Sequence, residues 1–270
     1  MTIPEHVDDI SVDWLNVRLA DNAHIGTIVD CRTEIMGEGV GILGEIARLH
    51  LSYADGTSGP PTLVAKCQSL YVENIMLCQM MGFYEREVNF YNQVASTLDL
   101  RTPTCHLAAM AEGGAPFVLL MEEIEGARMI DQLEGATLDD AKLVASTVAA
   151  LHAAFWDTEA LHDLGWLPPM NNDMYKGAVA LIEANWQPFI ETWAPKLPSE
   201  VIEWCAELSP KYSAMLDWWP ANSPATFTHT DCRAENYLFG GSAGADAVTV
   251  LDFQLATRHV GTWDVANFLG

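Results

Sequence analysis

An α+β fold, strand-rich in its first part and mainly helical in its second, is what this sequence predicts, and three observations carry it. Residues 44–67 hold two strand-like runs split by a turn of Gly and Pro. Residues 137–216 hold helical patterning opened by a capping signature. Short strand-like runs then return between residues 225 and 252. Strict alternation of apolar and polar residues marks a half-buried strand, whereas recurrence at three and four positions marks a helix.

Taken in order, Ser11 is placed to cap a short helix over residues 11–20. From Ile25 to about Glu122 the signal is mostly strand, interrupted by one long helix. Ala47, Leu49, Leu51 and Tyr53 alternate with Ile46, Arg48, His50 and Ser52, the pattern of a half-buried strand. The turn at residues 54–61 contains Asp55-Gly56 and Pro60-Pro61, and a third strand follows over residues 62–67. A single helix is expected over residues 72–98, then strands near 106–110 and 117–122 joined by a turn at 112–116. Thr137-Leu-Asp-Asp140 has the form of a capping box, and its helix should run to about Trp156. Further helices are expected over residues 174–193 and 200–216. The division that follows is a strand-rich part over residues 1–122 and a helical part over 123–270, with a hinge near Met121 to Arg128.

With 270 residues the chain exceeds what one core usually organises. Thirteen basic residues against 37 acidic ones give a net charge of −24, which argues against bare nucleic acid or an anionic membrane as partner. It favours a cationic ligand slightly. No apolar run approaches the ~20 residues that span a bilayer. The polar, acidic N-terminus does not have the form of a signal peptide. Six cysteines are scattered without CxxC or metal-finger spacing, so free thiols in a reducing cytoplasm are expected.

Chemistry concentrates in three places. Gly37-Glu-Gly39-Val-Gly41-Ile-Leu-Gly44 precedes a period-2 strand and not a helix, so these glycines belong to a β-hairpin. Glycines there let backbone N–H groups approach phosphates, with Gly39, Gly41 and Gly44 the expected contacts; a plain structural turn is the alternative. Lys66 ends the strand Thr62-Leu-Val-Ala-Lys66, where a lysine can reach phosphates. Glu87 has Phe83, Tyr84, Phe90 and Tyr91 at its i±3 and i±4 positions, so its carboxylate lies on an aromatic face and needs a cation. Lys66 is the natural partner, and Glu85, in a less apolar setting, is the rival to Glu87.

The third place carries the strongest signal. In Thr228-His229-Thr-Asp231-Cys-Arg-Ala-Glu-Asn236, an Asp and an Asn five apart on one loop can set a carboxylate at an attacking hydroxyl and an amide on Mg²⁺. Asp252 follows at the end of the apolar strand Val248-Thr-Val-Leu, and an oxygen ligand there suits the same cation. The glycine-rich turn at residues 240–246 should fold the two strands together and bring Asn236 beside Asp252.

Residues 37–44, Lys66, Glu87, 229–236 and Asp252 together resemble the phosphotransferase-enzyme family that includes aminoglycoside and choline/ecdysteroid-type kinases. The resemblance covers most of the chain from about residue 35. It implies a protein-kinase-like bilobal fold with ATP between the lobes. Leu119-Leu-Met121-Glu122-Glu-Ile124 looks like the family hinge, so Met121, Glu122 and Ile124 would meet adenine. Asp231 would serve the acceptor hydroxyl, and Asn236 and Asp252 would hold Mg²⁺. Thr262-Trp-Asp264 looks like the segment whose Asp braces the catalytic loop, and His229 is a second brace. Thr230 departs from the family where Gly is frequent, Glu235 where Asp is, and Gln254 where protein kinases have Gly.

What the resemblance implies is an ATP-dependent transfer of phosphate to a hydroxyl of a small molecule: an aminoglycoside, a choline-like amine or another alcohol. A nucleotide-binding pseudoenzyme and a protein kinase remain as alternatives, the latter disfavoured by the lack of an APE-type segment before Asp264. The family usually continues with further helices, whereas this chain stops six residues after Asp264, so a shortened member or a truncated chain is expected. Seven of the nine tryptophans lie between Trp156 and Trp219, and packing explains them better than a cation-binding box. His152 is read as a hydrogen-bonded interior histidine.

Overall fold

The computed structural model describes residues 2–37 and 43–270. Ser11 accepts a hydrogen bond from the Trp14 N–H and opens α1 (Val12–Arg18), as its sequence position predicts. Strands β1 (Ile28–Ile35), β2 (Gly44–Tyr53) and β3 (Thr62–Gln68) then form an antiparallel run. With β4 (Cys105–Met110) and β5 (Phe117–Glu122) they make one five-stranded sheet in the order β1-β2-β3-β5-β4. β1 and β2 are antiparallel neighbours with Ile35 opposite Ala47; of the glycine segment expected to join them as a hairpin, residues 38–42 lie outside the described residues.

The period of two splits the sheet between two cores. Ala47, Leu49 and Leu51 of β2, Leu63, Ala65 and Cys67 of β3, and Val118 and Leu120 of β5 pack with Trp14 and Leu15 of α1. The opposite face of β5, with Leu119 and Met121, joins the larger core, and Val64 of β3 packs there too. Lys66 lies on that second face. It is therefore turned toward the helix that follows, not toward α1.

That helix is not one element. Gly82 adopts φ +69°, a left-handed conformation that a residue without Cβ takes readily, and it divides α2 (Val72–Met81) from α3 (Phe83–Asn89). A π-helical turn, Phe90–Val94, continues α3 and lets the adjacent rings of Phe90 and Tyr91 both be buried. Residues 72–98 read as one helix because periodicity does not register a break that preserves the buried face.

Past β6 (Ala127–Met129), the Thr137 hydroxyl accepts from the Asp140 N–H at 3.1 Å while the Asp140 carboxylate accepts from the Thr137 N–H. This capping box opens α4 (Leu138–Phe155), which is followed by α5 (Glu159–Asp163). The helix expected over 174–193 is two: α6 (Asp173–Ala184) ends at Asn185, whose side-chain amide turns back to the Leu181 carbonyl, and α7 (Trp186–Trp193) begins after it. Likewise α8 (Ser199–Leu208) stops at Ser209-Pro210, since proline offers no N–H to continue the ladder, and α9 (Tyr212–Asn222) resumes the chain. No helix among the described residues is long and apolar enough to cross a membrane.

Four short strands and one helix complete the chain. β7 (Thr226–Thr228) pairs with β10 (Thr257–His259), while β8 (Tyr237–Gly240) lies between β6 and β9 (Val248–Val250). The helix α10 (Thr262–Leu269) follows β10. The β8–β9 hairpin is the one the turn at 240–246 predicts, with Tyr237 opposite Val250. Mixed α+β architecture, with an antiparallel sheet first and helices after, is therefore what the chain forms.

Candidate active site

Lys66 is 6% exposed and Glu87 1% exposed, so neither charge has water to solvate it. The ammonium donates to both Glu87 oxygens, at 2.9 and 2.7 Å. A third contact, to Asp252 Oδ1 at 3.0 Å, is one for which the sequence carries no signal. Burial would push Lys66 down, but the Asp252 and Glu87 charges overturn that and hold it charged well above its ordinary range. Burial pushes Glu87 upward, with Lys66 pulling against it. Glu85, the rival, is exposed.

Asp252 sits at φ +61°, where β9 gives way to a 3₁₀ turn. Besides Lys66 it accepts from the Gln254 amide nitrogen at 3.2 Å. Phe253 stacks on Phe90 with ring centres 3.5 Å apart and leans on His229 at 4.8 Å. The acid end of β9 is thereby locked to the π turn of α3 on one side and to the loop after β7 on the other. Arg86, also on α3 and 2% exposed, adds a second tie by donating to the Ala256 carbonyl and the Tyr175 hydroxyl.

The loop after β7 is held from beneath. Asp264, fully buried, accepts from the His229 N–H and the Thr230 N–H, both at 2.8 Å, and from His152 Nε2 at 2.9 Å. Because a carboxylate only accepts, His152 must carry its proton on Nε2. His229 Nε2 reaches the Leu251 carbonyl at 2.7 Å, tying the loop to β9. Thr230 stands at φ +71°, a conformation that strains a β-branched residue. Its hydroxyl closes a cluster with Thr257 at 2.8 Å and Thr228 at 3.2 Å, which offsets part of that strain.

Asp231 emerges at the top of this scaffold, with its side chain 17% exposed. Asn236 donates its amide to the Asp231 carbonyl at 2.7 Å and to Oδ2 at 3.0 Å. Its backbone carbonyl accepts from the Leu251 N–H at 2.9 Å, so Asn236 and the strand that ends in Asp252 are neighbours. An acid at a loop tip, an amide, a second acid and a lysine thus converge from four elements.

Residues 82–269 match the phosphotransferase enzyme family. The chain belongs to that family. No curated protein matches it. Among solved structures, the GDP and kanamycin complex of APH(2")-IIia is 12% identical, with a TM-score of 0.55 over 93% of this chain and 74% of that one. The GDP complex of wild-type aminoglycoside 2'-phosphotransferase-IIIa is also 12% identical, at 0.53 over 93% and 73%. The gentamicin-APH(2")-IIa complex is 12% identical, at 0.52 over 97% and 74%. At such identities these neighbours establish the fold.

For this phosphotransferase-family chain, the other expected contacts fall as follows. Gly39 and Gly41 lie outside the described residues. Gly44 begins β2, and a Cβ there would stand 3.0 Å from the Cys67 carbonyl and 3.4 Å from the Lys66 side chain, so the residue keeps the approach to Lys66 clear. Met121 is buried in β5. Glu122 gives its N–H to the Thr104 carbonyl and its carboxylate to Arg101 and the Thr104 N–H, which leaves at most its carbonyl for a base. Ile124 lies between β5 and β6, outside regular structure.

A divalent cation fits the donor set. The Asn236 amide nitrogen is committed to Asp231, which leaves Oδ1 as the acceptor atom of that side chain, and Asp252 offers a carboxylate. Gln254 Oε1 is buried without a partner among the described residues, so the surroundings of Asp252 hold acceptor capacity in excess. Two protein oxygens are what Mg²⁺ takes when phosphates and waters complete its shell.

Proposed function

We propose that this phosphotransferase-family protein moves the γ-phosphate of ATP to a hydroxyl of a small molecule, with Mg²⁺. The observation that carries the reading is Lys66, whose ammonium spans Glu87 and Asp252, 186 residues apart from Lys66 in the second case. A buried ion cluster is a poor route to stability, because desolvation consumes most of the Coulombic gain. One that joins a sheet lysine to an acid beside the Asp231 loop makes sense as a phosphate seat.

In this mechanism Lys66 turns from Asp252 to the α- and β-phosphates, while Glu87 keeps it in place. Asp231, oriented by the Asn236 amide, accepts the proton of the attacking hydroxyl. Asn236 Oδ1 and Asp252 would hold Mg²⁺, which supplies charge neutralisation on the phosphates when bound. Asp264 and His229 keep the loop fixed, so positioning supplies much of the rate. The hinge after β5, with the Glu122 carbonyl and Ile124, supports a purine base.

The two acids have separate duties and should separate in experiment. Asp252→Asn is expected to weaken nucleotide binding in the presence of Mg²⁺ and to lower turnover. Asp231→Asn should leave nucleotide affinity near that of the parent and slow transfer by ~10²–10⁴-fold, the contribution of a positioned base. Calorimetry with ATP and with GTP, and single-turnover transfer to a hydroxyl panel headed by kanamycin and gentamicin, measure both. Transfer by Asp231→Asn at the parental rate would remove Asp231 from the reaction. The absence of any Mg²⁺-dependent ATP binding would support a pseudoenzyme instead.

A further inference from the structure

Acids outnumber bases 37 to 13 in this chain, so a cation with no acid beside it stands out. Most basic side chains here do meet a carboxylate. Arg18, Arg86 and Lys196, which do not, lie over aromatic rings. Arg258 has neither kind of partner among the described residues. Its Nη1 lies 3.2 Å from His162 Nδ1, and because a guanidinium only donates, that imidazole is neutral and carries its proton on Nε2.

Arg258 lines a cavity of about 330 Å³ between α5, residues 169–171, α9 and β10. The cavity is apart from the Asp231 loop. β7 and β10 pair with Thr226 opposite His259 and Thr228 opposite Thr257, and the loop leaves from the Thr228 end. Ala225 and His259, which line the cavity, mark the other end. At ~3.3 Å per residue, about 10 Å of strand separates the two. The backbone fixes Arg258 at this place: its N–H donates to the Pro168 carbonyl at 2.9 Å, and its carbonyl accepts from the Met170 N–H at 3.2 Å.

An acid shares the cavity. Asp157 stands at φ +53°, with its N–H on the Ala225 carbonyl at 2.8 Å, and its side chain lines the same space. Among the described residues its carboxylate has no hydrogen bond or ion pair, to Arg258 or to any other group. Met170, Leu216 and Val260, all buried, supply apolar wall. A largely apolar lining with a few placed polar groups is the usual form of a small-molecule site.

We propose that this cavity binds a small amino-acid-like zwitterion with an apolar body. Its carboxylate meets Arg258, its ammonium meets Asp157, and its aliphatic part packs on Met170, Leu216 and Val260. A simple anion would be drawn to Arg258 and repelled by Asp157, and a simple cation the reverse. A ligand with both heads satisfies both walls at once. The planar fork of a guanidinium matches a carboxylate, and the His162 Nε2–H is a further donor on the same wall.

The test uses three probes of one shape: L-leucine with both heads, L-leucinamide with the ammonium alone, and 4-methylpentanoate with the carboxylate alone. None carries an alcohol, so none is an acceptor for the proposed transfer, and the result stands whether or not that reading does. Calorimetry is expected to show leucine binding to the parent about tenfold or more tighter than either single-headed probe. Arg258→Gln should bring leucine down to the level of leucinamide, and Asp157→Asn should bring it down to that of 4-methylpentanoate. Circular dichroism checks that both variants fold, which partly exposed side chains should allow. No leucine binding by the parent at about 10 mM would overturn the proposal. So would equal binding of leucine and either relative, or leucine binding that both variants keep unchanged.

Discussion

Glu87 and Asp264 are two carboxylates buried to the same degree, and the protein satisfies them in opposite ways. Glu87 has a mobile cation: both oxygens rest on the Lys66 ammonium, which simultaneously holds Asp252. Asp264 has fixed dipoles: two backbone N–H groups of the 229–230 segment and the Nε2–H of His152. An ammonium on a flexible stem can exchange one acceptor for another, so the Glu87 cluster can hand its charge to a ligand. Backbone donors cannot move without moving the chain, so Asp264 sets the loop that carries Asp231. The difference teaches that one buried acid serves an exchangeable site and the other a permanent one.

The strongest way to break this comparison is to remove the fixed anchor. Asp264→Ala leaves the His229 N–H, the Thr230 N–H and His152 buried without an acceptor, and each orphan costs about 1–3 kcal/mol. A loss of roughly 3–5 kcal/mol in unfolding free energy is expected in urea titration, with the slope unchanged. A loss below about 1 kcal/mol would mean that the loop finds other acceptors and is not anchored by Asp264.

A third buried group shows what happens with neither kind of partner. His259, 4% exposed, packs against Trp219 and Trp263, and its Nε2 has no partner among the described residues. Burial holds the imidazole down to about 4. With a folded value near 4 and an unfolded value near 6.5, the unfolded chain binds the proton first as pH falls. The stabilisation is then complete above about pH 6.5 and disappears as pH drops toward 4. Between pH 7.5 and pH 5 the parent should lose about 2 kcal/mol through this residue. Denaturation of the parent and of His259→Gln at both pH values checks it: the variant should lose less on acidification, and an equal loss would assign the acid response elsewhere.

The smallest expected effect sharpens the mobile half of the comparison. Lys66→Met and Glu87→Gln, alone and together, should be non-additive in unfolding free energy by about 1 kcal/mol or more, because each removes the other's partner. Additive losses would mean that Lys66 draws its support from Asp252 alone.

How much of this was legible along the chain follows from what each signal measures. Alternation in β2 and β3 and the capping box of α4 are local, and the structure repeats them. The Lys66–Glu87 pairing was legible because four aromatic residues around Glu87 mark a buried face, and a buried acid demands a cation. The breaks at Gly82, Asn185 and Pro210 were not, because periodicity continues across a kink that keeps the same face inward. Nor was the Lys66–Asp252 contact, which joins a sheet strand to a distant hairpin. The hydroxyls of Thr228, Thr230 and Thr257 carry no pattern of their own. They acquire a role only from what β7 and β10 bring beside them.

By itself, then, the sequence determined the element types, the hairpin turns, and which residue types with chemistry lie on the loop at 229–236 and at Asp252. Those properties depend on neighbours a few positions away, where backbone sterics and hydrophobic period act directly. Only the tertiary structure decided that Lys66 reaches Asp252 as well as Glu87, that His152 joins two backbone N–H groups on Asp264, and that Gln254 ends with a buried oxygen unpartnered among the described residues. The physical reason is that burial strips water from charged and polar groups. The partner each then requires is whichever group packing places within about 3 Å, however far away it lies along the chain.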